Sequence, residues 1–187
     1  MLGVAPTTVR ATRADGVTTV AQTLSFTPQS DAVFEGQLRK AVIATTVTVS
    51  GGRSLSESRV SYFSTNPFML HGDQLINGSN YTVTSPRVAG LPTTATAGDS
   101  GPFFSSVTYA DSSKSTVLGI TEATWSLEAL TGDTTKAYLC VNLRVTDYTR
   151  TGRPVTDGAV CYLIDGVGQL LGLRTKIVFD GEPLDLR

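Results

Sequence analysis

Hydrophobic and polar residues alternate with a period of two along much of this chain. Such alternation is typical of β-strands that bury one face of a sheet. No segment shows the 3.6-residue period of an amphipathic helix. The pattern therefore predicts an all-β protein, with strands in the ranges 18–26, 41–49, 59–64, 104–110, 116–127, 137–145, 159–164 and 173–179.

An internal echo groups these strands into two sets. Residues 40–72 resemble residues 136–172, and a repeated stretch of this length indicates a tandem repeat. The clearest matches join 40–43 with 136–139, 60–63 with 160–163, and 70–72 with 170–172.

The echo predicts two tandem antiparallel β-sandwich modules of small, immunoglobulin-like size. We place the first module at residues 1–85 and the second at residues 103–187. Residues 86–102 contain three prolines and three glycines. We interpret them as the linker, because proline cannot donate a hydrogen bond to a neighbouring strand.

The two cysteines fall in neighbouring predicted strands. Cys140 lies on the less apolar face of strand 137–145, and Cys161 lies in strand 159–164 beyond a turn-rich segment. Opposed residues of an antiparallel pair come close enough for a disulfide, so we predict a Cys140–Cys161 bond. In the first repeat, Ala44 and Ser61 are taken as the matching positions. A disulfide persists mainly in an oxidising compartment, which indicates export.

Charge and hydropathy exclude several classes of partner. The formal net charge is -1 and no run of Lys and Arg is present, so nucleic-acid binding is not expected. No apolar stretch reaches the roughly 20 residues of a membrane-spanning helix, so we expect no transmembrane segment. The N-terminus lacks the features of a signal peptide. Met1 is either a natural start or a replacement for a removed export signal, and both readings stay open.

Residues 98–102, Gly-Asp-Ser-Gly-Pro, resemble the nucleophile loop of trypsin-like serine proteases. The family pattern has a further glycine before the proline, which this chain lacks. A nucleophilic serine needs a base, and His71 is the only histidine. Its nearest downstream aspartates, Asp73 and Asp99, do not have the spacing of that family. We therefore interpret the motif as a turn in which Ser100 caps backbone groups, and assign no catalytic residue. A serine hydrolase centred on Ser100 remains the alternative.

No metal or cofactor site is predicted. One histidine and a bonded cysteine pair leave only carboxylates, and Asp99, Asp111 and Asp133 lack the spacing of a calcium loop. They are interpreted as turn residues. The single Trp125 alternates with apolar residues and is expected in the core.

Four segments together resemble uncharacterised exported or lipid-anchored β proteins of Gram-negative bacteria. These segments are NPFMLHG (66–72), AGDSGP (97–102), DSSKSTV (111–117) and CYLID (161–165). The resemblance implies a periplasmic or cell-surface location, with a lipid anchor as one form of the unprocessed protein. It transfers no activity. We expect a non-catalytic structural or binding module whose partner is an unknown protein or envelope component, with a small-ligand carrier as a further alternative.

Overall fold

The structure, a computed structural model, describes residues 6–65, 68–85, 91–152, 155–179 and 182–187. Residues 66–67 and 86–90, which belong to the resembling segments and to the expected linker, lie outside this description. Every regular element in the described residues is a strand, which confirms the all-β prediction. The strands are β1 (Thr7–Thr12), β2 (Thr19–Phe34), β3 (Gln37–Ser50), β4 (Arg53–Thr65), β5 (Phe68–Leu75), β6 (Tyr81–Thr84), β7 (Ser100–Tyr109), β8 (Val117–Leu130), β9 (Asp133–Asp147), β10 (Val155–Asp165), β11 (Leu170–Phe179) and β12 (Glu182–Leu186).

The strands form one antiparallel sheet rather than two clearly separate sandwiches. Strands that follow one another in the chain are neighbours throughout the sheet, from β1 to β12. The strands on either side of the expected linker also pair, since Tyr81 faces Tyr109 and Thr84 faces Ser106. Strand β7 already begins at Ser100, within the range expected for the linker. Pairing β6 with β7 satisfies backbone groups that a boundary between sandwiches would leave at two edges.

The sheet nearly closes on itself. Arg10 of β1 and Arg187 exchange two backbone hydrogen bonds, each 3.0 Å from nitrogen to oxygen. A buried cluster joins the same two ends of the sheet, because Val9 and Val20 pack against Leu184 and Leu186. Closure covers most of the backbone groups that open edges would expose to solvent.

Successive side chains of a strand point to opposite sides of the sheet, and in its second half, β7–β12, the two sides differ in composition. Trp125 faces Val141 and Ala123 faces Leu143 across β8 and β9, and these side chains pack with Phe103 in a hydrophobic cluster. We call this side the Trp125 face. Trp125 is 9 % exposed, which confirms its place in the core. The opposite side carries Cys140 and is called the disulfide face.

Two β-bulges occur at equivalent positions in the two halves of the sheet. The extra residues are His71 in the β4–β5 pair and Leu171 in the β10–β11 pair, and the glycines that follow them face Tyr62 and Leu163. The match of 70–72 with 170–172 therefore has a geometric counterpart. The match of 60–63 with 160–163 is shifted by one residue, because Tyr62 is equivalent to Leu163 and not to Tyr162.

Candidate functional site

Cys140 and Cys161 form a disulfide, as the sequence predicts. They face each other directly in the β9–β10 pair, and their Cα atoms lie 3.9 Å apart. Both side chains are 0 % exposed. The bond therefore links two long adjacent strands near the middle of their pairing.

The positions proposed for the cysteines in the first repeat are wrong. Ala44 faces Arg59, so Ala44 and Ser61 are not opposed to each other. Counting from the bulges, the positions equivalent to the cysteines are Ile43 and Val60, which do face each other. The first half thus has two β-branched apolar residues where the second half has the disulfide.

Arg174 lies next to the disulfide on the same face of the sheet. It faces Cys161 from β11, and its guanidinium carbon lies 5.9 Å from the centre of the Tyr138 ring on β9. Its Nε and Nη2 donate to the two oxygens of Asp185 on β12, at 2.7 and 2.5 Å. A bidentate pair of this kind fixes the plane of the guanidinium as well as its position.

The same pair changes the ionisation of both partners. Hydrogen bonds from Arg174 lower the pKa of Asp185 from 3.8 to about 2, against a smaller opposing effect of burial. The hydrogen bond with Asp185 likewise raises the pKa of Arg174. Both groups are therefore charged throughout the physiological range.

A shallow cavity of about 470 Å³ lies beside the disulfide, across four strands. We call it the β8–β11 groove. Its lining combines small side chains with four charged ones: Glu122, Thr124, Asn142, Leu143, Arg144, Asp157, Gly158, Ala159 and Lys176.

The groove arises because short and long side chains occupy adjacent rows of the sheet. A row here means the residues that face one another on successive strands. Thr124, Asn142 and Ala159 face one another in one row and form the floor. Asn142 is anchored there, because its Nδ2 donates to Ser126 Oγ at 3.2 Å. Lys176 faces Ala159 in the same row, and Asp185 on β12 faces Lys176 in turn. The short side chains of the floor do not fill the space between the longer side chains around them, and this space is the groove.

The next row carries charges of alternating sign. Glu122 faces Arg144, and Arg144 faces Asp157. All three side chains are exposed, and Lys176 is half-buried. Within the described part of the chain, no ion pair within 4 Å joins any of these four residues to another charged group. Their charged groups are therefore not neutralised by an ion pair within that part of the chain.

The structure does not bring Ser100 and His71 together. Ser100 is exposed at the start of β7, whereas His71 lies in the bulge beside Gly72. Gly72 faces Val83, which in turn faces Val107, seven residues along β7 from Ser100. At about 3.3 Å per residue, this register separates the two side chains by roughly 20 Å.

The Gly-Asp-Ser-Gly segment is a turn, but Asp99 rather than Ser100 provides its cap. Asp99 Oδ2 accepts a hydrogen bond from the Thr96 amide at 2.7 Å. The Gly98 amide donates to the Leu127 carbonyl, and the Leu127 amide donates to the Asp99 carbonyl. These bonds extend the pairing with β8 up to the start of β7.

The other turn aspartates act in the same local way. Asp111 accepts from the Ser113 amide at 2.8 Å, and Asp133 accepts from the Thr135 amide at 2.9 Å. The three aspartates lie in separate turns. Among the residues that the structure describes, no group of three or more His, Cys, Asp or Glu side chains is placed to hold a metal ion.

His71 has a less ordinary environment. Its Nε2 and the Nε of Arg39 are both buried without a hydrogen-bond partner in the described residues. Burial, and to a smaller extent the charge of Arg39, lowers the pKa of His71. The neutral imidazole is therefore favoured in the folded protein.

Sequence reasoning missed the charged residues of the groove, although a signal for part of it was present. Once Cys140 is opposed to Cys161, residues four positions further along β9 and four positions back along β10 must also face each other. Those residues are Arg144 and Asp157. The contributions of β8 and β11 depend on pairings that the cysteines do not determine.

Comparison with known proteins gives no relative from which to transfer a function. No protein-family model, no curated protein and no solved structure matches the chain. A membrane-crossing helix is absent from the described part of the chain.

Proposed function

We propose that this chain is a non-catalytic binding module of an oxidising compartment, and that it binds its partner at the β8–β11 groove. The observation that carries the proposal is the position of the disulfide. It joins β9 and β10, the two central strands of the groove.

The disulfide lies beside the floor of the groove. Asn142 follows Cys140 by two residues and Ala159 precedes Cys161 by two, so each floor residue is on the same face as its cysteine. A covalent link at this point limits relative movement of the strands that carry Arg144 and Asp157. Holding a site in its bound geometry before the ligand arrives lowers the entropy cost of binding.

The two halves of the sheet support a specialised role for the second. We infer that β1–β6 and β7–β12 are tandem repeats, since their bulges are equivalent. The residues equivalent to Arg144 and Asp157 are then Val47 and Ser56, which also face each other. The charged row and the disulfide are therefore both features of the second half, as expected if they serve one site.

The disulfide and the resemblance to exported β proteins of Gram-negative bacteria both favour the periplasm or the cell surface. A lipid anchor on the unprocessed protein agrees with that location. The proposed partner class is an unknown protein or an envelope component, and the groove binds a small part of that partner. The open groove, which has four charged side chains in its lining, favours a ligand held at the surface over the enclosed cargo of a small-ligand carrier.

Fractionation of the source cells, combined with alkylation of free thiols before any reductant is added, tests the proposed compartment. We expect the protein in the periplasmic or envelope fraction, with both cysteines in the disulfide and therefore not alkylated. Recovery in the cytoplasm with two alkylatable thiols would contradict the proposal.

The serine hydrolase alternative has a separate test. A fluorophosphonate probe is expected to leave the native protein unlabelled, because no histidine lies near Ser100. Labelling that disappears in the Ser100→Ala variant would support the hydrolase and exclude a purely binding role.

A further inference from the structure

We infer that the β8–β11 groove takes a small dipolar organic molecule, one that carries a carboxylate and an ammonium group in the manner of an amino acid or a short peptide. The inference rests on the proposed function, since it names the ligand class of the same groove.

The sign pattern of the charged side chains selects for a dipolar ligand. Glu122, Arg144 and Asp157 alternate in sign across β8, β9 and β10. Lys176 adds a second positive charge from β11, so the four charges sum to zero. An anion attracted to Arg144 would be repelled by the carboxylates on both sides, and a cation at either carboxylate would be repelled by Arg144. A molecule with both charges satisfies both signs.

The spacing of the strands suits such a molecule. Adjacent strands lie about 4.8 Å apart, so an acid and a base on neighbouring strands are within reach of the two charged groups of one amino acid or dipeptide. In this arrangement Arg144 and Lys176 bind the carboxylate, while Asp157 accepts from the ammonium. Arginine is suited to its part, because its planar fork of donors matches a carboxylate.

The four charged side chains of the groove also do not form ion pairs with one another in the described residues. Opposite charges on adjacent strands commonly pair, and other charges of this protein do so. Arg59 Nε lies 2.7 Å from Asp73 Oδ1 between β4 and β5, and Arg174 Nε lies 2.7 Å from Asp185 Oδ1 between β11 and β12. The groove residues form no such pair within 4 Å in the described chain, although their backbones are directly opposed.

The size and floor of the groove set a limit on the ligand. A volume of about 470 Å³ is within the usual range for small-molecule sites. The floor offers the short apolar side chain of Ala159 and the anchored amide of Asn142. A dipeptide can rest on this floor with its two ends at the charged row.

Titration of the oxidised full-length protein with glycylglycine, followed by amide chemical shifts and calorimetry, tests the inference. We expect saturable binding with shifts confined to β8–β11. Acetate, ethylammonium and the uncharged N-acetylglycinamide should not saturate the same amides. Arg144→Gln and Asp157→Asn should each weaken binding about tenfold, the effect of losing one charge-assisted hydrogen bond.

Two further variants sharpen the test. Exchanging the charges in the double variant Arg144→Asp, Asp157→Arg keeps the groove dipolar, so binding should recover relative to either single variant. Lys40→Gln and Asp31→Asn remove an exposed ion pair in the first half and serve as matched controls that leave affinity unchanged.

Three outcomes would overturn the inference: no saturation by glycylglycine, equal shifts with acetate, or equal weakening by the control variants. If glycylglycine fails to bind while the protein is exported with its disulfide intact, the ligand class is wrong and the proposed compartment stands. If the protein is cytoplasmic and reduced but still binds glycylglycine, the proposed compartment is wrong and the ligand class stands.

Discussion

Arg174 on β11 faces Cys161 of the disulfide, and its guanidinium is held by both oxygens of Asp185. The contact joins β11 to β12, and the guanidinium extends over β10 to the Tyr138 ring on β9. Reductants attack a disulfide through a thiolate that must approach one sulfur directly. A fixed arginine beside the buried sulfur atoms is therefore expected to slow that approach.

Asp185→Asn is expected to speed reduction of the disulfide by dithiothreitol. Loss of the carboxylate charge weakens the bidentate pair and frees Arg174 to move away from the sulfur atoms. The rate can be followed by trapping thiols with an alkylating agent at intervals. Arg187→Gln is the matched control, because Arg187 also pairs with Asp185 but is 72 % exposed. An equal rate in wild type and Asp185→Asn would show that Arg174 does not shield the bond.

Removing the disulfide in the double variant Cys140→Ala, Cys161→Ala should lower the free energy of unfolding by about 3 kcal/mol, as expected when a loop of this length is no longer closed in the unfolded chain. Denaturant titration measures the change. Wild-type protein unfolded in excess reductant should show a comparable loss, since it lacks the same cross-link. If the stability of the double variant equals that of the oxidised wild type, the bond serves no stabilising role.

Gly72→Ala is expected to destabilise the protein far more than Gly172→Ala, although the two glycines follow equivalent bulges. A Cβ at residue 72 would lie 2.1 Å from the Thr82 carbonyl oxygen and 2.6 Å from the Phe34 ring, and the φ angle of Gly72 is +153°. A Cβ at residue 172 meets nothing closer than 3.7 Å.

Overpacking and backbone strain together should cost Gly72→Ala roughly 3 kcal/mol or more. The cost for Gly172→Ala should stay within about 0.5 kcal/mol. Thermal or denaturant unfolding of both variants gives the comparison. Similar losses in the two variants would contradict the close packing of Phe34 against the first bulge.

His71→Leu should remove part of the pH dependence of stability. The folded pKa of His71 is lowered, so the folded state resists protonation that the unfolded state accepts below its ordinary value of 6.5. The stability from the neutral imidazole is therefore present above pH 6.5 and is lost as pH falls below it. Leucine is the residue at the equivalent bulge, Leu171, and does not titrate.

Unfolding measured at pH 7.5 and pH 5.5 tests this. The wild type should lose more stability between these values than His71→Leu does. Equal losses would mean that His71 is as freely protonated in the folded chain as in the unfolded one.

The alternation along the chain determined the strands at 41–49, 116–127 and 137–145, because each strand buries one face and so records its own period. It also determined the disulfide, since the two cysteines flank one turn and their pairing is local. The strand Tyr81–Thr84 was not predicted. Its four residues are too short to show a period, yet this strand joins the two halves.

The sequence by itself thus determined an all-β chain with an echo between its halves and a covalent link between two of its strands. Only the tertiary structure decided that the halves share one nearly closed sheet. It also decided that Glu122, Arg144, Asp157 and Lys176, on four different strands, line one groove. The physical reason is that alternation fixes which face a side chain occupies, whereas the register between strands, and hence each cross-strand neighbour, is set by the whole set of pairings at once.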